Sequence, residues 1–180
     1  LNKTARRGMA VLNPLKVVLE NWPEGFVDEL PAENNPEDPE AGSRKVKIGR
    51  EVYIEREDFM EEPVKGFFRL SPGKEVRLKH AYIIKCGEVI KDAAGNVTEL
   101  RCSVDMDSRG GDAPDGRKIK GTLHWVWGGD AVKAKVNLYG HLFTLRNMND
   151  MEEGKDYKDY LDPQSCVVME EALVEPALAQ

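Results

Sequence analysis

Between Lys65 and Lys79 the chain sets Lys65, Arg69, Lys74, Arg77 and Lys79 around two adjacent rings, Phe67 and Phe68, with Glu75 the one acid in the stretch. These residue types suit a nucleic acid. Ammonium and guanidinium groups neutralise phosphates, and a guanidinium can also fork onto a base edge with paired donors. Exposed rings give unstacked bases a face to lie on. The same pattern suits a plain antiparallel strand with a charged outer face and core phenylalanines. Spacing alone leaves both readings open.

Other chemistry is thinly represented. His80, His124 and His141 fall on separate segments with no HExxH-like spacing, so each reads as a strand residue with a satisfied hydrogen bond. No strand-to-helix nucleophile turn accompanies the serines. The run Gly111–Lys118, "GDAPDGRK", has the glycine spacing of a phosphate loop. However, Asp112 and Asp115 would repel phosphate, and Ile119 stands where Ser or Thr is required. Strand patterns rather than a helix surround it, so it reads as an exposed hairpin loop. Cys86, Cys102 and Cys166 are odd in number and form no close pair, which fits a reduced, intracellular protein. Cys102 reads as a small buried apolar residue. No catalytic residue and no metal site is expected.

The elements that must carry these residues are short strands. "LKVVLENW" follows the turn signal Asn13-Pro14, and "RKVKI" and "EVYIE" flank Gly49-Arg50 as a hairpin. In "EVRLKHAYIIKC", Val76, Leu78, His80 and Tyr82 share one face of an extended chain, with Arg77 and Lys79 on the other. That segment leads through the turn "AAGN" to "VTELRCSVDM", where Leu100, Cys102 and Val104 alternate with charged positions. "KIKGTLHWVW", "AVKAKVNLYG" and "SCVVME" are further strands. "PAENNPEDPEAGS" is an exposed acidic loop, "REDFMEEPV" one helical turn, and "DYKDYL" a short helix ended by Pro163. Many short strands with frequent turn residues imply an all-β barrel or sandwich, with "GDAPDGR" dividing two β units.

The chain has 180 residues, 41% hydrophobic and 32% charged, enough to bury a core and stay soluble. A formal charge of −6 argues against general polyanion binding, yet the charge is segregated. Acids gather in "PAENNPEDPEAGS" and "NDMEEGKDYKDYLD", cations between Lys65 and Lys85. No apolar run approaches the ~20 residues a membrane span needs. The start, "LNKTARRGMAVLNP", lacks the apolar core of a signal peptide. It also lacks an initiating Met, which fits a piece of a longer protein.

Several stretches, in order, resemble the C-terminal anticodon-binding region of bacterial-type glutaminyl-tRNA synthetases: "RRGMAVLNPLKVVLENW", "PEAGSRKV", "EVYIEREDFMEEPVKGFFRLSPGKEVRLKHAYIIKC", "DAAGNVTEL", "DGRKIKGTLHWV", "LYGHLFT" and "EPAL". The archaeal and eukaryotic glutamyl-tRNA synthetases share that architecture and are the nearest alternative; a protein-interaction β module is a further one. The resemblance implies an all-β fold of antiparallel β-barrels with few short helices. Residues 1–120 would form a proximal barrel and residues 121–180 the start of a distal one. It implies binding of the tRNA anticodon loop. Aminoacylation and ATP would belong to an upstream catalytic domain of the same chain, with no cofactor in this part. The parent would be a cytoplasmic monomer. Arg7 matches the arginine that reads the middle anticodon base, and Arg69 the arginine at the third. Lys79 matches a position, often arginine, that contacts the first; lysine keeps the charge and loses the planar fork. Lys65 and Arg77 join them as cations of the same basic stretch. Phe68 stands where some relatives carry lysine.

Overall fold

The structure is a computed structural model that describes residues 2–179. Twelve strands run in chain order: β1 (Ala10–Val11), β2 (Pro14–Leu19), β3 (Asp28–Glu33), β4 (Ser43–Ile48), β5 (Glu51–Glu55), β6 (Glu75–Leu78), β7 (Ile83–Lys91), β8 (Val97–Asp105), β9 (Thr122–Leu123), β10 (Val126–Trp127), β11 (Val132–Tyr139) and β12 (Cys166–Val174). Helix among the described residues is confined to single 3-10 turns, including Arg56–Asp58 and Tyr157–Tyr160, where the sequence predicts a helical turn and a short helix. The all-β class holds.

Seven strands form one mixed sheet in the order β10-β5-β2-β8-β7-β6-β9. Its two edge strands, β9 and β10, are separated in the chain by His124 and Trp125 alone, so the sheet must curl until its edges nearly meet. The β2/β8 and β6/β9 pairs are parallel and the other pairs antiparallel. The core fills the curl. Leu15, Val17 and Leu19 on β2, Val52 and Ile54 on β5, and Leu100 and Cys102 on β8 are fully buried, because period-two alternation turns every second side chain inward. β3 and β4 make a separate two-stranded sheet, and β1, β12 and β11 a third.

Four local expectations need correction. "RKVKI" and "EVYIE" are strands but not a hairpin: β4 pairs with β3, and β5 with β2 and β10. Gly49-Arg50 turns the chain from one sheet into the next. The acidic "loop" begins inside β3, where Ala32 is buried and Pro31 is tolerated because β3 pairs on one side only. The strand through Val76 stops at Leu78. There the chain doubles back, with Ala81 N–H donating to the Leu78 carbonyl at 2.9 Å, and His80 takes φ 65°. Lys79 therefore sits in a turn and does not share a strand face with Arg77. The "KIKGTLHWVW" strand is broken into β9 and β10, and Trp125 is buried while Trp127 is only half-buried.

A polar knot with Asp28 and Tyr82 buried and Arg109 exposed locks the small sheet onto the large one. Asp28 on β3 accepts from the Tyr82 hydroxyl at 2.6 Å and from Arg109 Nε and Nη2 at 2.8 and 2.9 Å. Arg109 also donates to the Glu29 carbonyl at 2.9 Å. Arg109, then Tyr82, holds the Asp28 carboxyl below its ordinary range, and burial with the Asp28 bond pushes the Tyr82 hydroxyl up to about 12. Since the folded pKa of Asp28 lies below the unfolded one, its contribution is present above the unfolded value and lost as pH falls through the folded one. Asp28→Asn is expected to cost about 1–3 kcal/mol at pH 7. The gap to wild type should shrink when urea midpoints are measured below pH 3.8.

Candidate nucleic-acid interface

Of the five cations expected at the site, Arg7 and Lys79 line one cleft, Arg69 lines another, and Lys65 and Arg77 line neither. Arg7 lies just before β1, fixed by its N–H to the Asn34 carbonyl at 2.7 Å. Lys79 lies in the turn after β6, fixed twice by the crossing segment: its N–H donates to the Leu123 carbonyl at 2.8 Å, and its carbonyl accepts from Trp125 Nε1 at 3.0 Å. The two side chains line one small cleft of about 100 Å3, with Arg44, His80 and Glu33 on its walls. Sequence-distant cations thus meet. Arg7 Nη2 contacts Glu37 Oε1 at 3.0 Å and the Asn2 carbonyl at 3.1 Å. Lys79 has no carboxylate partner among the described residues. Burial, then the neighbouring Lys79 and Arg44, pushes His80 below its ordinary value, so its imidazole is neutral near pH 7.

Arg69 belongs to a second, larger groove of about 420 Å3 lined by Phe67, Phe68, Lys74, Glu75 and the run Lys118–Gly121. Leu70 anchors it from beneath: its N–H donates to the Asp58 carbonyl at 3.0 Å, and Leu70 itself is fully buried. The Arg69 guanidinium pairs with the buried Asp58 carboxylate while most of its side chain stays exposed. Asp58 thereby orients a fork that solvent can still reach. Lys65 is exposed, two residues before Phe67 in the chain, and does not line the groove.

Arg77 goes elsewhere. Its side chain is half-buried, and Nε donates to the Gly111 carbonyl. Gly111 has φ +96°, and a Cβ there would strike the Arg77 side chain. Arg77 therefore holds the 108–111 loop, and neither cleft is lined by it. A third cavity, about 600 Å3 beside Trp127, Lys47 and Pro176, is lined by none of the five residues.

Three residues escaped the sequence reading. Arg44 walls the Arg7–Lys79 cleft, and its guanidinium pairs with Glu175 beyond β12 at 2.8 Å. Lys118 and Lys120 flank the Arg69 groove. Their signal was present: in "RKIKG" both lysines share one face of an extended chain, opposite Arg117 and Ile119. Arg117 pins this run with contacts to Glu75 at 3.1 Å, Asp105 at 2.6 Å and Asp115 at 2.9 Å. Three carboxylates hold its guanidinium above the usual range. The cost is that Glu75, the groove's acid, is already neutralised.

Two family models match the chain, both described as the anticodon-binding domain of class I (E and Q) tRNA synthetases, over residues 5–105 and 122–180. Similar curated proteins include the glutamine–tRNA ligases of Nitrobacter winogradskyi (56% identity over 180 residues, 100% of this chain and 32% of the relative). Those of Bradyrhizobium diazoefficiens (52% over 180 residues, 100% and 32%) and Clostridium kluyveri (52% over 176 residues, 98% and 31%) are also similar. The chain spans about a third of the length of these relatives.

The Asp58–Arg69 pair yields a stability prediction. Arg69→Ala strands a buried carboxylate and is expected to cost about 1–3 kcal/mol. Adding Asp58→Asn should recover most of that, because a neutral amide needs no counterion. A double-mutant cycle in urea measures the coupling; simple additivity would mean that the pair is not an ion pair in solution.

Proposed function

Since this chain belongs to the anticodon-binding domain family of class I (E and Q) tRNA synthetases, we propose that it grips the unpaired anticodon loop of a tRNA on behalf of a glutamine–tRNA ligase. Glutamine, rather than glutamate, follows from the names of the similar relatives. The observation that carries the reading is the pair of separate cationic clefts. Bases of an RNA loop are recognised when splayed apart, each presented to its own pocket. Arg7 and Lys79 would engage one part of the loop, and Arg69 another. Lys65 supplies phosphate attraction from outside both clefts. Arg77 is assigned to holding the 108–111 loop rather than to reading a base.

A guanidinium offers two parallel donors to a base edge, whereas Lys79 offers a point charge. Lys79 therefore favours a phosphate or a single acceptor over a forked contact. Arg7 must exchange Glu37 for RNA. Residues 1 to about 120 are read as the proximal barrel and those from about 121 as the start of a distal one, stitched to it by β9 and β10. Aminoacylation, ATP use and the cognate catalytic domain are assigned to the remaining two-thirds of a protein like the relatives, acting in the cytoplasm as a monomer. The Gly111–Lys118 loop does not suit a phosphate: Asp112 and Asp115 lie within it, and Ile119 follows the lysine. Among the described residues no helix is long and apolar enough to cross a membrane.

In the full-length ligase carrying this chain, Arg69→Ala is expected to lower discrimination between cognate and anticodon-substituted tRNA by about 1–3 kcal/mol in kcat/KM, on the scale of a forked base contact. Unchanged discrimination would count against the reading. For this chain alone, binding of an anticodon stem-loop should weaken steeply with salt. Lys65→Gln should weaken it equally for all loop sequences.

A further inference from the structure

In the Arg69 groove, Phe68 and Lys120 are in each other's way. The Phe68 ring is 57% exposed, and Lys120 Nζ stands 4.8 Å from its centroid. A large exposed ring lining a cationic groove is an odd place for an apolar side chain, and a cation over its exposed face is a weak cover. We propose that Phe68 is a stacking platform for one unpaired base of the bound RNA, and that Lys120 covers the platform until the base arrives, then moves to the adjoining phosphate. This rests on the proposed RNA-binding function and names what one of its two clefts does.

Three further observations support it. The segment bearing Lys120 is held close by design of the backbone. A Cβ at Gly121 would collide with the Phe68 carbonyl, so glycine is what lets the two segments touch. The Arg117 anchor fixes where that segment starts, while Lys120 is exposed and has no carboxylate partner to hold it among the described residues. Among the described residues, Lys74, Lys118 and Lys120 have no carboxylate within ion-pair distance. Glu75 faces the same groove but is paired to Arg117. The groove is thus net cationic where a phosphate would follow a stacked base. Any base has a π face, so Phe68 adds affinity with little sequence preference, and Arg69 is left to discriminate at the base edge.

The test uses the 180-residue chain and anticodon stem-loops carrying 2-aminopurine at one loop position at a time. One position should quench on binding to wild type. In Phe68→Leu, which keeps an apolar side chain and should leave the urea midpoint unchanged, that quench should vanish and affinity fall by about five- to a hundred-fold. The salt dependence should stay the same. Lys120→Met should keep the quench and reduce the slope of log K against log salt by about one. RNA binding that is unaffected by Phe68→Leu, or quenched equally in it, overturns the platform. A Lys120→Met slope equal to wild type overturns the phosphate role. Absence of RNA binding by wild type would instead reject the proposed function beneath it.

Discussion

The short crossing segment from Gly121 to Trp125 is the constraint on which both clefts depend. It runs parallel to β6, pairing Thr122 with Arg77 and Leu123 with Leu78. Its carbonyls hold the N–H groups of Arg77 and Lys79 at 2.9 and 2.8 Å, and its Trp125 indole caps the Lys79 carbonyl. Its glycine lies against the Phe68 backbone. One strip of backbone thus fixes the turn that carries Lys79 and also forms a wall of the Arg69 groove. It also closes the sheet, since β9 and β10 are its successive edges. Closure by a two-residue jump is possible only because the sheet is curled, and curling removes the long free edges that invite aggregation.

Electrostatics follows from this placement. A chain of net charge −6 can still present cations if its acids are spent on other bases. Arg117 binds three of them, Arg44 takes Glu175, Arg109 takes Asp28, and Lys16 lies between Glu51 at 3.1 Å and Glu99 at 3.4 Å. The partly buried pairs hold the architecture, where breaking one strands a charge. The exposed pairs contribute little to stability. Among the cations without a carboxylate partner in the described residues, Lys74, Lys118 and Lys120 line the groove around Phe68 and Lys79 lines the smaller cleft. The division between paired and unpaired charges is not strict, since Arg7 pairs with Glu37 and Arg69 with Asp58, but the acids taken up by structural pairs leave both clefts locally cationic within an acidic whole.

Much of this was legible in the residues. Alternation in "TELRCSVD" located β8 and its buried face, because period two is the direct consequence of strand geometry. The interleaved phenylalanines and cations marked the groove around Arg69. What could not be read was pairing between distant segments. Nothing local in "RKVKI" says that β4 joins β3 instead of β5, and the turn at Lys79-His80 hides in an uninterrupted alternation with no glycine or proline to mark it. His80 reaches its left-handed backbone in place of the usual glycine. Lys118 and Lys120 were likewise passed over, because the loop before them looked like a failed phosphate site rather than the anchor of a second wall. The convergence of Arg7 on Lys79 is tertiary, and only the resemblance to a family anticipated a shared role for them.

The most direct test of the central claim is amide hydrogen exchange of this chain with and without an anticodon stem-loop RNA. Two clefts gripping one loop predict added protection at Arg7–Met9 and Lys79–Ala81, and at Phe67–Leu70 together with Lys118–Gly121. The exposed strands β11 and β12 should be unchanged. Protection confined to β11 and β12, or at only one of the two clefts, would contradict it.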